Sequence, residues 1–344
     1  MKSKILNSKW AWVFVLASIP FLGWSLRSTP LQEIIQTFSH LHLSQVIILA
    51  GVNVLVFLLI ALRWEIILRA MGIKVPLSKL IGYRLTSFGV SYFTPGPQFG
   101  GEPAQVALLV RNHPAQTASA VSSVYLDKLL ELLVNILVIA GGLFLTFNAG
   151  FGNEILRQNG WASVLLLASV PMAHLVALKT RRYPLKGLAE KSGSIRSHRQ
   201  WVRKTGNLLV EAEGQIATFL EKNPKSLLLA ILVSLISWAG MILEYSLVAQ
   251  FLALKMSYQQ VAFAFVLSRL AFLAPLPGGL GVLEASQVFA VQTLGMPAAF
   301  GLALSLWMRA RDVLIGLIGL MLGSWMFARP VHSVQEDVKI KKWS

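Results

Sequence analysis

The chain alternates long apolar runs with short polar breaks. A helix that crosses a membrane needs about 20 mostly apolar residues. Six runs read as spanning helices, at residues 10–26, 45–62, 115–147, 161–178, 226–254 and 298–327. The third is long enough to tilt or to begin outside the bilayer. Two further apolar stretches, residues 77–110 and 258–294, are each interrupted by Pro and Gly and read as pairs of half-helices. The first run follows Lys2, Lys4 and Lys9, as a signal peptide would, but no clear small-x-small cleavage site follows it. It therefore reads as an uncleaved first helix. Between the fourth and fifth runs, Leu208, Leu209, Ala212, Ile216 and Leu220 recur at helical spacing, with Glu211 and Glu213 off that face. That pattern predicts an amphipathic helix lying in the membrane interface.

Composition supports the membrane assignment. Hydrophobic residues make up 55% of the 344 residues, mean hydropathy is +0.63, and only 13% are charged. A soluble domain carries about 25% charged residues. The formal charge of +16 nevertheless arises from 31 Lys and Arg against 15 Asp and Glu. A nucleic-acid binder would carry such an excess on a charge-rich chain, so no nucleic-acid partner is expected. The absence of cysteine excludes disulfides, cysteine zinc sites, iron–sulfur clusters and thiol catalysis.

The basic residues give an orientation. Eleven lie within residues 179–225, three in the N-terminal arm, and Arg329, Lys339, Lys341 and Lys342 in the tail, whereas the intervening loops are poor in them. Both termini and the 179–225 loop are thus expected on the cytoplasmic side of a bacterial-type inner membrane, each broken stretch entering and leaving on one side. Arg63, Arg69, Lys74, Lys79 and Arg111 then fall on the cytoplasmic face around the first broken stretch.

Two segments about 180 residues apart share their punctuation. The first places Pro95, Gly96 and Pro97 before Gly100, Gly101 and Glu102. The second places Pro275 and Pro277 before Gly278, Gly279, Gly281 and Glu284. About twenty-five residues after each glutamate, an apolar run carries charge: Asp127 and Lys128 in one case, Arg309, Arg311 and Asp312 in the other. These are read as two repeats, residues 45–148 and 226–328, in a single membrane domain. The orientation above makes them inverted, an arrangement that places a transport site at the repeat interface.

Irregular backbone survives in a membrane only against protein or water. The prolines end one half-helix, and a second starts near Pro103 or Val282 with free N–H groups and the positive end of its dipole. That end either receives a phosphate or is capped by Glu102 or Glu284. Asp127 and Glu131 share one face of their helix, with Lys128 about 100° away. Glu244, Arg84 and Arg269 also sit at membrane depth. Ionisable groups there either pair to lock the bundle or line a polar path for a charged head group. No metal site or cofactor motif is found: the six histidines are scattered, and nucleotide-binding glycine patterns are absent.

These motifs resemble the transmembrane domain of the lysylphosphatidylglycerol synthase, or flippase-like, family over about residues 5–330. The residues that carry the likeness are Thr94–Pro97 with Gly100–Glu102, Asp127–Lys128, and Pro275–Gly281 with Glu284. The resemblance implies an all-α polytopic protein that moves, or helps move, a lipid between leaflets. Many members have arginines where this chain has Pro97 or Gln98, and Gln105, and Arg is common where Lys128 stands. No soluble aminoacyl-transferase domain is read in the chain, so it is not expected to charge phosphatidylglycerol itself; a separate lipid-modifying enzyme is one possible partner. The expected ligand is an anionic or phosphate-bearing membrane lipid. The head-group path is placed at Glu102, Gln105, Asp127, Lys128, Glu131, Glu284, Arg309, Arg311 and Asp312. Two other readings stay open: an intramembrane enzyme using Asp127 with Glu131, and a scaffold acting through the 179–225 loop.

Overall fold

The computed structural model describes residues 42–94, 100–113, 115–148, 150, 154–191, 200–273 and 277–329. These residues are helical, with no strand among them. The first set of helices is α1 (Leu43–Ala70), α2 (Leu77–Phe93), α3 (Glu102–Asn112) and α4 (Thr117–Asn148). A connecting group follows: α5 (Glu154–Lys179), α6 (Pro184–Lys191) and α7 (Gln200–Lys222). The second set is α8 (Pro224–Phe251), α9 (Tyr258–Ala271), a 3-10 turn at Pro277–Gly279, α10 (Val282–Thr293) and α11 (Ala298–Ala328). The two sets match in order and length, and α8, α9 and α11 each start 181 residues after α1, α2 and α4.

Local signals set the helix ends. Pro224 opens α8 in its first turn, where a missing N–H costs nothing. Ser257 and Gln260 form a reciprocal capping box at the start of α9: the Ser257 hydroxyl accepts from Gln260 N at 3.3 Å, and the Gln260 side chain accepts from Ser257 N at 2.8 Å. α3 carries Pro103 in its first turn.

Four helices, α1, α4, α8 and α11, are long and apolar enough to cross a membrane. The fourth expected run lies in α5, which qualifies only together with α6, across a 95° bend. The expected first span, residues 10–26, lies outside the described residues. Only 17% of the most apolar window of α1 is buried against protein, and Ile47, Val54 and Leu55 stand exposed on it. Leu228, Leu232 and Ile236 do the same on α8. Such surface is untenable in water and natural against acyl chains. The protein is an all-helical, multi-pass membrane protein.

Helix pairing joins the two sets. α1 and α8 run antiparallel, with Asn53 meeting Glu244, Val56 meeting Gly240 and Arg63 meeting Ser234. α2 packs along α11, also antiparallel, through Gly82 near Met326, Thr86 near Gly323 and Gly89 near Gly316. In the corresponding exchange, α9 packs along α4, with Val266 against Gly142. Small residues let these backbones approach closely in a setting where no water drives the helices together.

The connecting group departs from expectation. α7 buries Ala212, Ile216, Phe219 and Leu220, the last three in a cluster with Leu126 and Leu130 of α4 and Leu178 of α5. Its apolar face is therefore covered by protein rather than laid in the interface, while Leu209, assigned to that face, is exposed. Glu213, expected off the face, is wholly buried and accepts from Leu185 N and Lys186 N, each at 2.9 Å. It thus satisfies free N–H groups in the first turn of α6. Periodicity distinguishes apolar from polar positions, but it does not reveal a buried carboxylate whose partner is another helix's first turn.

The α2–α11 seam yields a test. A Cβ on Gly319 would lie 1.9 Å from Leu85 O, whereas one on Gly141 of α4 meets nothing within 4 Å. Gly319→Val is expected to destabilise by at least the roughly 1–3 kcal/mol of overpacking, and Gly141→Ala to be neutral or stabilising by about 0.5–1 kcal/mol. Thermal unfolding of the detergent-solubilised variants measures both.

Candidate functional site

The ionisable residues at membrane depth converge in two clusters. In the first, Arg63 of α1 grips Asp127 of α4 with two hydrogen bonds, Nε to Oδ1 at 2.8 Å and Nη2 to Oδ2 at 3.1 Å. The same guanidinium reaches Glu131 at 3.0 Å and Ser234 of α8 at 3.3 Å. Arg84 of α2 donates to the same Oδ2 of Asp127 and lies over the Trp64 ring. Lys128 bonds Glu131 at 2.9 Å and approaches Glu102 of α3 at 3.6 Å. Glu102 in turn accepts from Gly100 N at 2.7 Å.

The second cluster repeats this plan with some signs reversed. Glu244 occupies on α8 the place Arg63 holds on α1, 181 residues earlier. It bonds Arg311 of α11 at 2.6 Å and accepts from Asn53 of α1 at 2.9 Å. Asn53 and Ser234 are themselves counterparts, so the two polar bonds across the α1–α8 seam are reciprocal. Arg311 also holds Asp312 at 2.8 Å. Arg309 is bonded to Glu284 of α10 through Nε at 2.7 Å and also through Nη2. Glu284 accepts from Gly281 N at 2.9 Å. Each motif glutamate therefore uses one oxygen to cap the chain leading into its half-helix and the other to hold a cation on the following long helix. The two alternatives weighed from sequence, capping and charge pairing, occur together.

Arg63, expected on the cytoplasmic face around the first broken stretch, is enclosed by protein: α1 runs on to Ala70 and buries it at 1% exposure. The carboxylates of Asp127 and Glu131 explain how a cation is tolerated there. Arg309 and Asp312, one turn apart on α11, take separate partners instead of each other.

Other functional positions escaped the sequence reading. Gln105 was singled out, but its counterpart Gln287 was not. Both are buried, and both follow a motif glutamate by three residues, so Glu-x-x-Gln recurs as a readable signal. Gln287 accepts from Tyr245 Oη at 2.6 Å and donates to Ala264 O at 3.1 Å, tying α10 to α8 and α9. The side-chain nitrogen of Gln105 is buried without a hydrogen-bond partner among the described residues. Of the helix-break residues, Pro95, Gly96, Pro97 and Pro275 lie outside the described residues. Gly100 and Gly101 lead into α3, and Gly101 approaches α2 so closely that a Cβ would stand 1.9 Å from Ser87 O. Pro277, Gly278 and Gly279 form the 3-10 turn and Gly281 precedes α10; Gly278 is left-handed, with φ 55°. No group of three His, Asp or Glu among the described residues is arranged to hold a metal ion.

Between the clusters lies a cavity of about 200 Å³. Arg63, Arg84, Gln105, Lys128 and Glu131 line it from the first helix set; Glu244, Arg269, Arg311 and Asp312 line it from the second. Aromatic and aliphatic side chains, including Phe57, Phe88, Trp238 and Phe265, complete its wall. It is a charged pocket inside an apolar bundle.

Residues 10–319 match the sequence profile of the lysylphosphatidylglycerol synthase TM region. The chain belongs to that family. The matched residues take in both clusters, both half-helix pairs and the connecting group. Among curated proteins the chain is similar to a UPF0104 membrane protein of Methanothermobacter thermautotrophicus, 26% identical over 251 residues, covering 68% of this chain and 71% of that protein. It is also similar to a UPF0104 membrane protein of Pyrococcus horikoshii, 23% identical over 258 residues, covering 72% and 76%. No solved structure matches.

The ion pairs of the first cluster differ in burial, Asp127 being enclosed and Glu102 half-buried, and this gives a prediction for the family member described here. Asp127→Asn removes the buried carboxylate that Arg63 and Arg84 share and leaves Glu131 to serve both, so a loss of about 3 kcal/mol is expected. Glu102→Gln keeps an oxygen to cap Gly100 N and gives up a longer, partly solvated ion pair, so a loss of about 1 kcal/mol or less is expected. Denaturant or thermal unfolding in detergent distinguishes the two.

Proposed function

We propose that this protein moves, or helps move, a polar-headed lipid across the cytoplasmic membrane. The observation that carries the reading is the charged cavity walled by both helix sets. A head group occupies the polar space, while its acyl chains remain against the apolar surfaces of the long helices. The matched order, lengths and antiparallel pairing of the two sets support reading residues 45–148 and 226–328 as inverted repeats with the site at their interface. The concentration of Lys and Arg in residues 179–225 supports placing that segment, and with it both termini, on the cytoplasmic side. The chain shows no nucleotide-binding motif, so transfer on this reading is passive or ion-coupled.

The enzymatic alternative loses its best candidate. Asp127 and Glu131 are both held by Arg63, and Glu131 also by Lys128. A carboxylate committed to cations is a poor general base, because proton uptake would break those bonds.

A leaflet-accessibility assay in liposomes, run over a panel of labelled lipids, tests the proposal. Wild-type protein is expected to accelerate transfer of at least one lipid, and Arg311→Gln to slow that transfer at least tenfold. No acceleration for any lipid, with folded protein present, overturns unaided translocation. A cellular phenotype that survives Arg311→Gln but is lost on deleting residues 179–225 points instead to a scaffold.

A further inference from the structure

The two clusters hold six carboxylates, Glu102, Asp127, Glu131, Glu244, Glu284 and Asp312, and each has a cation within 4 Å. Six cations face them: Arg63, Arg84, Lys128, Arg269, Arg309 and Arg311. The numbers balance, but the geometry does not. Arg311 holds both Glu244 and Asp312, which leaves Arg269 with no carboxylate in salt-bridge range among the described residues.

Arg269 instead lies among rings. Its guanidinium carbon is 4.9 Å from the Phe272 centroid, 5.1 Å from Phe265 and 5.8 Å from Trp238. Ring faces attract the cation but provide no strong acceptor for its five N–H donors. Among the side-chain acceptors of the described residues, only the Ser268 hydroxyl, 3.5 Å from Nε, is positioned to bond it. The three rings enclose the guanidinium, and the side chain lines the cavity. A planar fork with donors not taken by a carboxylate of the described residues is the arrangement that binds a phosphoryl or carboxylate group through two oxygens.

One further feature of the same cavity points to a ligand: Gln105 contributes a buried side-chain nitrogen without a hydrogen-bond partner among the described residues. The left-handed turn at Gly278 and Gly279 also lines the wall, Gly278 packed against the ring of Tyr92.

We infer that Arg269 is the docking group for a phosphoryl group, either the phosphodiester of a lipid head group or inorganic phosphate, held in a subsite that Gln105 and the Gly278–Gly279 turn help to line. This names the ligand class of the cavity and rests on reading that cavity as a head-group site. Arg63, Arg84, Lys128, Arg309 and Arg311 are not the primary contacts, because a carboxylate already occupies each.

Equilibrium binding to the full chain in detergent, followed by native mass spectrometry, tests the assignment with four probes: short-chain phosphatidylglycerol, short-chain phosphatidylcholine, diacylglycerol and inorganic phosphate. Both phospholipids are expected to bind at least tenfold more tightly than diacylglycerol, and Arg269→Gln to remove that preference. Binding of inorganic phosphate as tight as that of phosphatidylglycerol assigns the subsite to free phosphate; tighter lipid binding assigns it to a head group. Equal binding of phosphatidylglycerol by wild type and Arg269→Gln overturns the inference, as does equal wild-type affinity for diacylglycerol. If Arg269→Gln fails to fold, Arg269→Lys decides, since lysine keeps the charge but loses the planar fork: about tenfold weaker binding supports the subsite, and unchanged binding overturns it. Binding that depends on Arg269 in a protein that accelerates no leaflet transfer retains the subsite and discards translocation.

Discussion

A charge taken from water into hydrocarbon carries a penalty of several kcal/mol even after the surroundings relax. That constraint governs the interior of this bundle. Arg63 is buried only because Asp127 and Glu131 meet it, and Glu244 only because Arg311 and Asn53 do. Each of these bonds joins different helices, so pairing the charges also positions α1, α4, α8 and α11. Pairing of this kind stabilises less than an equally well packed apolar core. What it supplies is register: a helix that slipped by one turn would leave a buried ion without its partner.

The two clusters satisfy the same constraint with one sign reversed. Arg63 on α1 corresponds to Glu244 on α8, whereas Lys128 and Glu131 on α4 correspond to Arg309 and Asp312 on α11 with their signs kept. The polar bonds Arg63–Ser234 and Asn53–Glu244 are counterparts across the seam between the first helices of the two sets. Sign is therefore free to change so long as each local pairing is complete. This is why the shared pattern shows in helix order and punctuation while residue identity stays low.

Much of this was legible in the chain. Four long apolar runs became α1, α4, α8 and α11, and the half-helices begin at Glu102 and Val282, next to the Pro and Gly breaks. Asp127, Lys128, Glu131, Arg309, Arg311 and Asp312 stood out because charge inside an apolar run is costly, and all six belong to the two clusters. What was not legible has a common cause. The enclosure of Arg63 did not show because hydropathy marks where an apolar run ends, not where a helix ends. Glu213 looked solvent-facing because its partners, Leu185 N and Lys186 N, are backbone groups of another helix. Both are long-range pairings, and local pattern carries no record of a distant partner. Gln287 differs, since Glu-x-x-Gln occurs twice and was available to direct comparison of the two breaks.

The glycine seam between α2 and α11 has a mechanical consequence. At Gly319 and Gly89 the backbones approach so closely that not even a methyl group fits between them. Two helices meshed at that distance tilt or translate as one rod. α2 comes from the first half of the chain and α11 from the second, and α9 is set against α4 in the corresponding way. The stiff bodies of this protein are therefore assembled across the halves, and any plane of relative movement through the cavity cuts each half of the chain rather than separating one half from the other.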